Sequence, residues 1–232
     1  MKYETHIIYT EFHQGSKSNA IQCLESMDPS WNARMFSGCS PQNLESYEKH
    51  YQIKEIQQDK EPIKPRKLIS KKSCFYSHFH LWNICIKNNL GFIVILENDT
   101  MSNMPIPLSK ISNLLDTNQC VGVQLTAGSM LRNLSHYKKY ISEYDKHLDG
   151  IHKIFYTHPF NKTFFAGATG YILDFKAAQY LVEKVSVQGW YQNDLMFSVE
   201  DDFPLYFITP DPIMYVPEME LNTSSYSSWI AQ

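Results

Sequence analysis

Apolar and polar positions alternate between strand and helix spacings along the first part of the chain. The segment HIIYTEF, beginning at His6, is rich in β-branched and aromatic residues and predicts a first strand. SKSNAIQCLESM follows with helical spacing, NARMFSGC predicts a second strand, and SPQNLESYEKHY predicts a helix with Ser40 as N-cap and Pro41 at its first position. This strand–helix–strand–helix order predicts an α/β fold with a mostly parallel central sheet flanked by helices.

The middle of the chain carries the strongest pattern. Residues 54–69 are polar and contain two prolines, which predicts a loop. From Ser70, the segment SKKSCFYSHFHLWNICIKNNLG repeats apolar residues at helical spacing and predicts a buried helix that ends at Gly91. FIVILENDT, residues 92–100, then reads as a buried strand that runs directly into polar residues.

The second half continues the same alternation less regularly. CVGVQLT predicts a strand, residues 127–154 a polar excursion rich in Tyr and His, and FFAGATGYILDFKAAQYLVEKV a strand followed by a helix. The last segment predicts strands interrupted by prolines. Because no internal repeat or low-complexity linker divides the chain, we expect a single domain over residues 1–232.

The end of the buried strand is the first place where chemistry is expected. Glu97, Asn98 and Asp99 follow it directly, and ligands of open parallel sheets bind beyond the carboxyl ends of the strands. Residues two apart on an extended chain point the same way, so Glu97 and Asp99 are expected to converge on a hard divalent cation, Mn²⁺ or Mg²⁺. The structural alternative is an acidic turn without a ligand.

Composition and charge narrow the class of protein. A net charge of −3 gives no bias towards nucleic acid, and no apolar run is long enough to cross a membrane. The first residues lack a signal peptide, and five unpaired cysteines are typical of a reducing compartment, so we expect a cytoplasmic protein with free thiols. Four Asn-x-Ser/Thr sequons are attributed to chance.

The segment SCFYSHFHLWNICIKNNLGFIVILENDT resembles the signature of the glycosyltransferase family 25 proteins, which include lipooligosaccharide and collagen galactosyltransferases. Residues that fall into the family's pattern are Cys74, Ser77, His78, Trp82, Leu96, Glu97 and Asp99. Three later segments are also similar to the family: AGATGYILDFKAAQYLVEKV, QNDLMF and PLYFITPDPIMY. The resemblance therefore covers roughly residues 70–100 and 160–230.

This resemblance implies a GT-A-type domain that moves a hexose such as galactose, with inversion, from a UDP-linked donor to an acceptor hydroxyl. Lipopolysaccharide biosynthesis is the implied process, and the acceptor is expected to be a glycan, a lipid-linked or a protein group. The expected roles are metal binding for Glu97 and Asp99, general base for Asp194, and donor binding for Thr10, Ser77, His78, Gly167 and Asn193. Trp190 and Tyr191 are the expected sugar-stacking residues, and the acidic run of residues 200–202 is the second choice for the base.

Departures from the family pattern keep other readings open. Asn98 stands where the family has the first Asp of an Asp-Asp pair, and Ser73 where it has Gly. A non-catalytic glycan- or nucleotide-binding relative is therefore an alternative. Basic residues between 64 and 72 leave a modified nucleic-acid base as a disfavoured acceptor. The His78-x-His80 pair is disfavoured as a zinc site, because residues two apart on a helix face different directions.

Overall fold

The computed structural model describes residues 1–12, 14–54, 65–117, 120–135, 137–155, 157–158, 162–163, 167–189 and 203–222. The strands are β1 Tyr3–Tyr9, β2 Ala33–Ser37, β3 Phe92–Glu97, β4 Thr100–Ser102, β5 Gly122–Gln124, β6 Gly150–Lys153, β7 Thr157–His158, β8 Lys162–Thr163, β9 Gly170–Asp174, β10 Leu205–Thr209 and β11 Ile213–Tyr215. The helices are α1 Gln14–Ser26, α2 Leu44–Tyr51, α3 Pro65–Lys87, α4 Leu108–Thr117, α5 Ala127–Asn133, α6 Ile141–Tyr144, α7 Phe175–Gln188 and α8 Pro217–Asn222.

A seven-stranded sheet in the order β2-β1-β3-β9-β5-β10-β6 forms the centre of the protein. Strands β2, β1, β3, β5 and β10 run in one direction, and β9 and β6 run in the other. The mostly parallel α/β fold expected from the sequence is therefore confirmed. Two short ribbons, β4 with β11 and β7 with β8, lie outside this sheet. The single domain over residues 1–232 stays a prediction.

Both faces of the sheet are covered, and the central strand β3 shows why. Ile93 and Ile95 belong to the apolar core under α3 and α7, whereas Phe92, Val94 and Leu96 belong to the core under α1 and α4. All five side chains are fully buried. A strand packed on both faces needs an unbroken apolar sequence, and that is the character of FIVIL.

The boundaries of α2 and α3 differ from the sequence expectation. Helix α2 begins at Leu44, not at Pro41, because the Asn43 side chain accepts a hydrogen bond from the Ser40 backbone N–H (2.6 Å) and closes a turn before the helix. Helix α3 begins at Pro65, inside the predicted loop. It ends at Lys87, and the left-handed residue after it is Asn89 (φ 48°), not Gly91.

The prediction of a polar excursion over residues 127–154 is partly wrong. It contains α5, α6 and the edge strand β6, and residues 127–131 at the start of α5 are buried. The sequence signal was weak because α5 buries small residues, Ala127, Gly128 and Ser129, which carry little apolar periodicity.

Asp174 joins three parts of the fold through one buried carboxylate. Its Oδ1 accepts hydrogen bonds from the backbone N–H groups of Ala177 (2.7 Å) and Val121 (3.1 Å), and Oδ2 accepts one from Cys120 (2.7 Å). It is thus the N-cap of α7 and also fixes the entry to β5.

We expect Asp174→Ala to lower the free energy of unfolding by on the order of 3 kcal/mol, because it removes a helix cap and leaves buried backbone donors without an acceptor. Urea denaturation monitored by circular dichroism measures the change. Asp116→Ala, at an exposed position in the last turn of α4, is the matched control and should stay within about 0.5 kcal/mol of wild type. Equal effects of the two substitutions would contradict the capping role.

Candidate active site

The carboxyl ends of the parallel strands bring several predicted residues to one edge of the sheet. Ile8 of β1 lies opposite Glu97, so Thr10 leaves β1 beside the turn that contains Asp99. On the other side of β3, Leu96 pairs with Gly170 and the Glu97 N–H donates to the Thr169 carbonyl (2.7 Å).

Gly167 reaches the same edge. It lies three residues before β9, and its carbonyl accepts a hydrogen bond from Gln124 Nε2 (3.4 Å) at the end of β5. Its φ of +87° favours glycine, and a Cβ there would lie 2.3 Å from Cε of Met130. The backbone of this segment therefore depends on a residue without a side chain.

Glu97 is held by a chain of hydrogen bonds that begins inside the core. Trp82 Nε1–H donates to the Tyr171 hydroxyl (3.0 Å), which lies 2.7 Å from His78 Nδ1. His78 Nε2 in turn lies 3.3 Å from Oε1 of Glu97. A carboxylate only accepts, so Nε2 of His78 is the donor in its hydrogen bond with Glu97.

Cys74 adds a third group to this position. Its Sγ lies 3.8 Å from the same oxygen, Oε1 of Glu97. Cys74, His78 and Trp82 are spaced four residues apart on α3, so they form one stripe along the helix that faces the end of β3 and Tyr171 of β9. Glu97 itself keeps 29% of its side chain exposed, and His78 is buried.

Ser77, unlike its neighbour His78, does not contact Glu97 and instead bonds the backbone of α3 and of the loop after β2. Its hydroxyl donates to the Ser73 carbonyl (2.8 Å) and accepts from the Cys39 backbone N–H (2.8 Å), so it ties the loop after β2 to α3. A Cβ at Gly38 would lie 2.6 Å from this hydroxyl oxygen, which explains the glycine in the loop. Donor binding by Ser77 and His78 stays a prediction.

Asn98 turns away from Glu97 and towards α1. Its Nδ2 donates to the carbonyl (3.1 Å) and the hydroxyl (2.9 Å) of Ser16, and the same hydroxyl accepts from the Thr10 backbone N–H (3.0 Å). A carboxylate at this position could not donate to the Ser16 carbonyl. The departure from the family's Asp-Asp pair thus has a local reason.

Asp99 has other neighbours than Glu97. Strand β3 ends at Glu97, and Asn98 and Asp99 lie in a turn. The chain is therefore not extended from Glu97 to Asp99, and the rule that residues two apart point the same way does not apply to these two side chains. The Asp99 carbonyl accepts from Val216 N–H (2.8 Å). Burial, opposed by a hydrogen bond from Thr100 and reinforced by the charge of Asp99, raises the pKa of Cys23 in α1 to about 12. The charge of Asp99 is thus felt at Cys23 of α1, and Glu97 contacts Cys74 and His78 of α3.

Comparison with known proteins identifies the family of this chain. The model of glycosyltransferase family 25, described as an LPS biosynthesis protein, matches residues 8–197. The chain belongs to glycosyltransferase family 25. Among solved structures, mouse xyloside xylosyltransferase 1 in its apo form is similar at 11% identity and a TM-score of 0.40, over 85% of this chain and 81% of the other. No curated protein sequence matches significantly.

Membership of glycosyltransferase family 25 supports glycosyl transfer in general and implies a nucleotide-sugar donor with a glycan acceptor. In the parts of the chain that the structure describes, no helix is both long and apolar enough to cross a membrane. Asp194, Asn193, Trp190, Tyr191 and the acidic run 200–202 lie outside the described residues. Their predicted roles stay predictions.

Sequence reasoning missed a third carboxylate at the same edge of the sheet. Asp211, two residues after β10, accepts hydrogen bonds from Gly128 N–H (2.9 Å), Ser129 N–H (2.6 Å) and the Tyr144 hydroxyl (2.6 Å). Burial outweighs these bonds and raises the pKa of Asp211. Burial, followed by the negative charge of Asp211, also raises the pKa of Tyr144. The sequence feature that could have indicated Asp211 is its place between two prolines, because prolines restrict the backbone around it.

Next to Asp211 lies a pocket of about 800 Å³. Residues lining it include Asn103, Arg132, Asp145, His147, Met214 and Tyr215. Tyr215 belongs to the β4–β11 ribbon, so the pocket borders that ribbon.

The five cysteines divide by exposure. Cys23, Cys39 and Cys85 are buried free thiols, and Cys74 and Cys120 are partly exposed ones. Burial raises the pKa of Cys39 and Cys85 to about 12. The expectation of free thiols is confirmed, and Cys74 is the partly exposed thiol that lies beside Glu97.

We expect Asn98→Asp to destabilise the protein at neutral pH by roughly 1–3 kcal/mol, because a carboxylate oxygen would face the Ser16 carbonyl without a proton to donate. The deficit should shrink at acidic pH, where the protonated acid can donate again. Urea denaturation at both pH values measures this, with Asn113→Asp at an exposed position of α4 as control. An unchanged free energy of unfolding would show that the amide contributes nothing through Ser16.

Proposed function

We propose that this protein is an inverting, GT-A-type hexosyltransferase that uses a UDP-linked donor, with galactose as the expected sugar. The acceptor is a hydroxyl of a glycan, lipid-linked or protein group, in lipopolysaccharide biosynthesis or a related process. One observation carries the proposal: in a family 25 chain, Glu97 and Asp99 stand at the carboxyl end of the central buried strand. That end of an open α/β sheet is where ligands bind.

The donor is proposed to lie across the carboxyl ends of β1 and β3 and the first residues of β9. Thr10, the turn at Asp99 and the glycine segment at Gly167 border this edge, and the last of these offers backbone without a side chain. Glycine at such a place lets a ligand approach the main chain closely. The proposed role of Asn193 rests on the sequence motif alone.

The residues present fit a hard divalent cation, Mn²⁺ or Mg²⁺, which prefers oxygen ligands and commonly keeps one or two carboxylates beside substrate phosphates. Asp99 would supply one carboxylate and Glu97 the other. Oε1 of Glu97 contacts His78, and Oε2 is the second oxygen that this carboxylate can offer to an ion. Oδ1 of Asp99 is shielded from solvent. When bound, the ion would supply Lewis-acid stabilisation of the leaving diphosphate.

The chain's own residues have the remaining tasks. Trp82, Tyr171 and His78 orient Glu97, and Asn98 fixes the turn that presents Asp99. Asp194 is proposed as the general base that takes the proton of the acceptor hydroxyl, on the support of its place in the family's acidic motif. A carboxylate is suited to this because it is ionised at neutral pH.

A nucleic-acid acceptor is disfavoured. Lys72, in the one basic stretch of the sequence, pairs with Glu48 of α2 (2.9 Å), and the net charge is −3. The five free thiols support a reducing compartment, and we propose the cytoplasm.

With UDP-galactose and Mn²⁺ we expect steady release of UDP, and UDP alone should bind at least tenfold more weakly in chelator, a difference of about 1.4 kcal/mol. The diphosphate would otherwise face Glu97 and Asp99 without an ion between them. Asp99→Asn should abolish this metal effect, whereas Asp116→Asn should preserve it. Titration calorimetry of UDP and chromatography of released nucleotide are the measurements.

Equal UDP affinity in chelator and in Mn²⁺ would reject the metal assignment. Binding of UDP-galactose and other UDP-sugars without any release of UDP would instead favour a non-catalytic relative. These two outcomes are separate, because the first concerns the ion and the second the reaction.

For Asp194→Asn we expect turnover to fall by about 10²- to 10⁴-fold while UDP and Mn²⁺ bind nearly as in wild type, since loss of a general base affects the chemical step. Steady-state rates and titration calorimetry separate the two. The alternative is that Asp194 caps the segment LMFSVE, where Asn would cap almost equally well. Retention of more than about a tenth of the turnover would place the base elsewhere, with residues 200–202 examined next.

A further inference from the structure

Three side chains of metal-binding type meet at the end of β3. Cys74 and His78 lie one helical turn apart on α3, Glu97 faces them from the strand, and their ligand atoms all lie within 4.8 Å of one another. We propose that Cys74, His78 and Glu97 form a binding site for a borderline transition-metal ion, with Zn²⁺ as the expected occupant. This site shares Glu97 with the proposed carboxylate pair and differs from it in Cys74 and His78.

The distances agree with those between ligands of one tetrahedral ion. Zinc–nitrogen and zinc–oxygen bonds of about 2.0–2.1 Å place the two ligand atoms about 3.3 Å apart, and a zinc–sulfur bond of about 2.3 Å places sulfur about 3.5 Å from oxygen. Here Nε2 of His78 lies 3.3 Å and Sγ of Cys74 lies 3.8 Å from Oε1 of Glu97. The sulfur and the imidazole nitrogen lie within 4.8 Å of each other, so an ion could bind all three groups once the thiol and the ring close on it.

The imidazole already has the support that a metal-ligating histidine needs. Such a histidine usually bonds a polar group through its second nitrogen, which fixes the ring. Nδ1 of His78 lies 2.7 Å from the Tyr171 hydroxyl, which accepts from Trp82 Nε1–H. Metal binding at Nε2 would move the ring proton to Nδ1, where Tyr171 can accept it, and Cys74 would release its thiol proton to solvent.

The set of ligands favours a particular class of ion. Thiolate and imidazole suit Zn²⁺ and Co²⁺, whereas Mg²⁺ and Ca²⁺ prefer oxygen alone. Three protein ligands leave a fourth position for water or a substrate oxygen, as in catalytic zinc sites. The partial exposure of Cys74 and Glu97 gives the ion a path from solvent.

The neighbouring histidine does not belong to the site. His80 points to the opposite side of α3, where Nδ1 contacts the Tyr51 hydroxyl (2.6 Å) and the ring stacks on Phe36 at 5.6 Å between centroids. The His-x-His pair is thus not a chelate, and the second ligand on α3 is Cys74, four residues before His78.

Cobalt titration of the apo protein tests the site without reference to enzymatic activity. Co²⁺ should produce a near-ultraviolet sulfur-to-cobalt charge-transfer band and visible bands typical of low coordination, and Zn²⁺ should displace both. Cys74→Ser should remove the charge-transfer band. Cys120→Ser, which changes the other partly exposed thiol, should retain it. Tyr171→Phe should weaken Zn²⁺ binding by about 10- to 100-fold through the lost support of His78.

Two results would overturn the proposal: no cobalt spectrum in the wild-type protein, or a charge-transfer band that survives in Cys74→Ser. Should Cys74→Ser fail to fold, X-ray absorption of the zinc-loaded wild type decides instead. One sulfur with nitrogen and oxygen ligands supports the site, and a shell without sulfur rejects it. Failure of either test leaves the UDP and Mn²⁺ experiments unaffected, so the two proposals fail independently.

Discussion

The fold is organised around the double-sided burial of β3. Phe92 to Leu96 are fully buried between two apolar cores, so a shift of the strand by one residue would exchange the sets that face α3 and α1. A shift towards the start of the strand would also move Glu97 from the last position of β3 into its buried part, where a carboxylate without compensation is strongly unfavourable. The position of Glu97 at the edge is therefore set by five apolar neighbours, and the rest of the site is arranged about that point.

From this point the two carboxylates of the turn separate into different environments. Glu97 faces a thiol and an imidazole on α3, and Asp99 faces α1 and the segment at Val216. Glu97 thus lies beside the thiol of Cys74 and the imidazole of His78, whereas Asp99 lies after the turn residue Asn98, whose amide is anchored to Ser16.

Local patterns predicted the parts of the fold whose cause is local. The apolar run of β3, the helical spacing of α3 and the strand–helix pair β9–α7 follow from periodicity and were predicted. Contacts between distant segments were not: Asn98 bonds a residue 82 positions away and His78 one 93 positions away. No spacing rule encodes such pairs. Glu97 and Asp99 were expected on an extended chain, with an acidic turn as the alternative, and the structure has a turn at residues 98 and 99.

The order of strands has a consequence for how the chain folds. β3 lies between β1 and β9, and β9 separates β3 from β5. The central strand therefore gains its second neighbour only when residue 174, the end of β9, is present. During synthesis one edge of an entirely apolar strand stays open while about eighty residues are added, an interval in which such edges are prone to non-native pairing. Contacts of this sequence separation also slow folding, so the same topology that fixes the site sets the pace at which it forms.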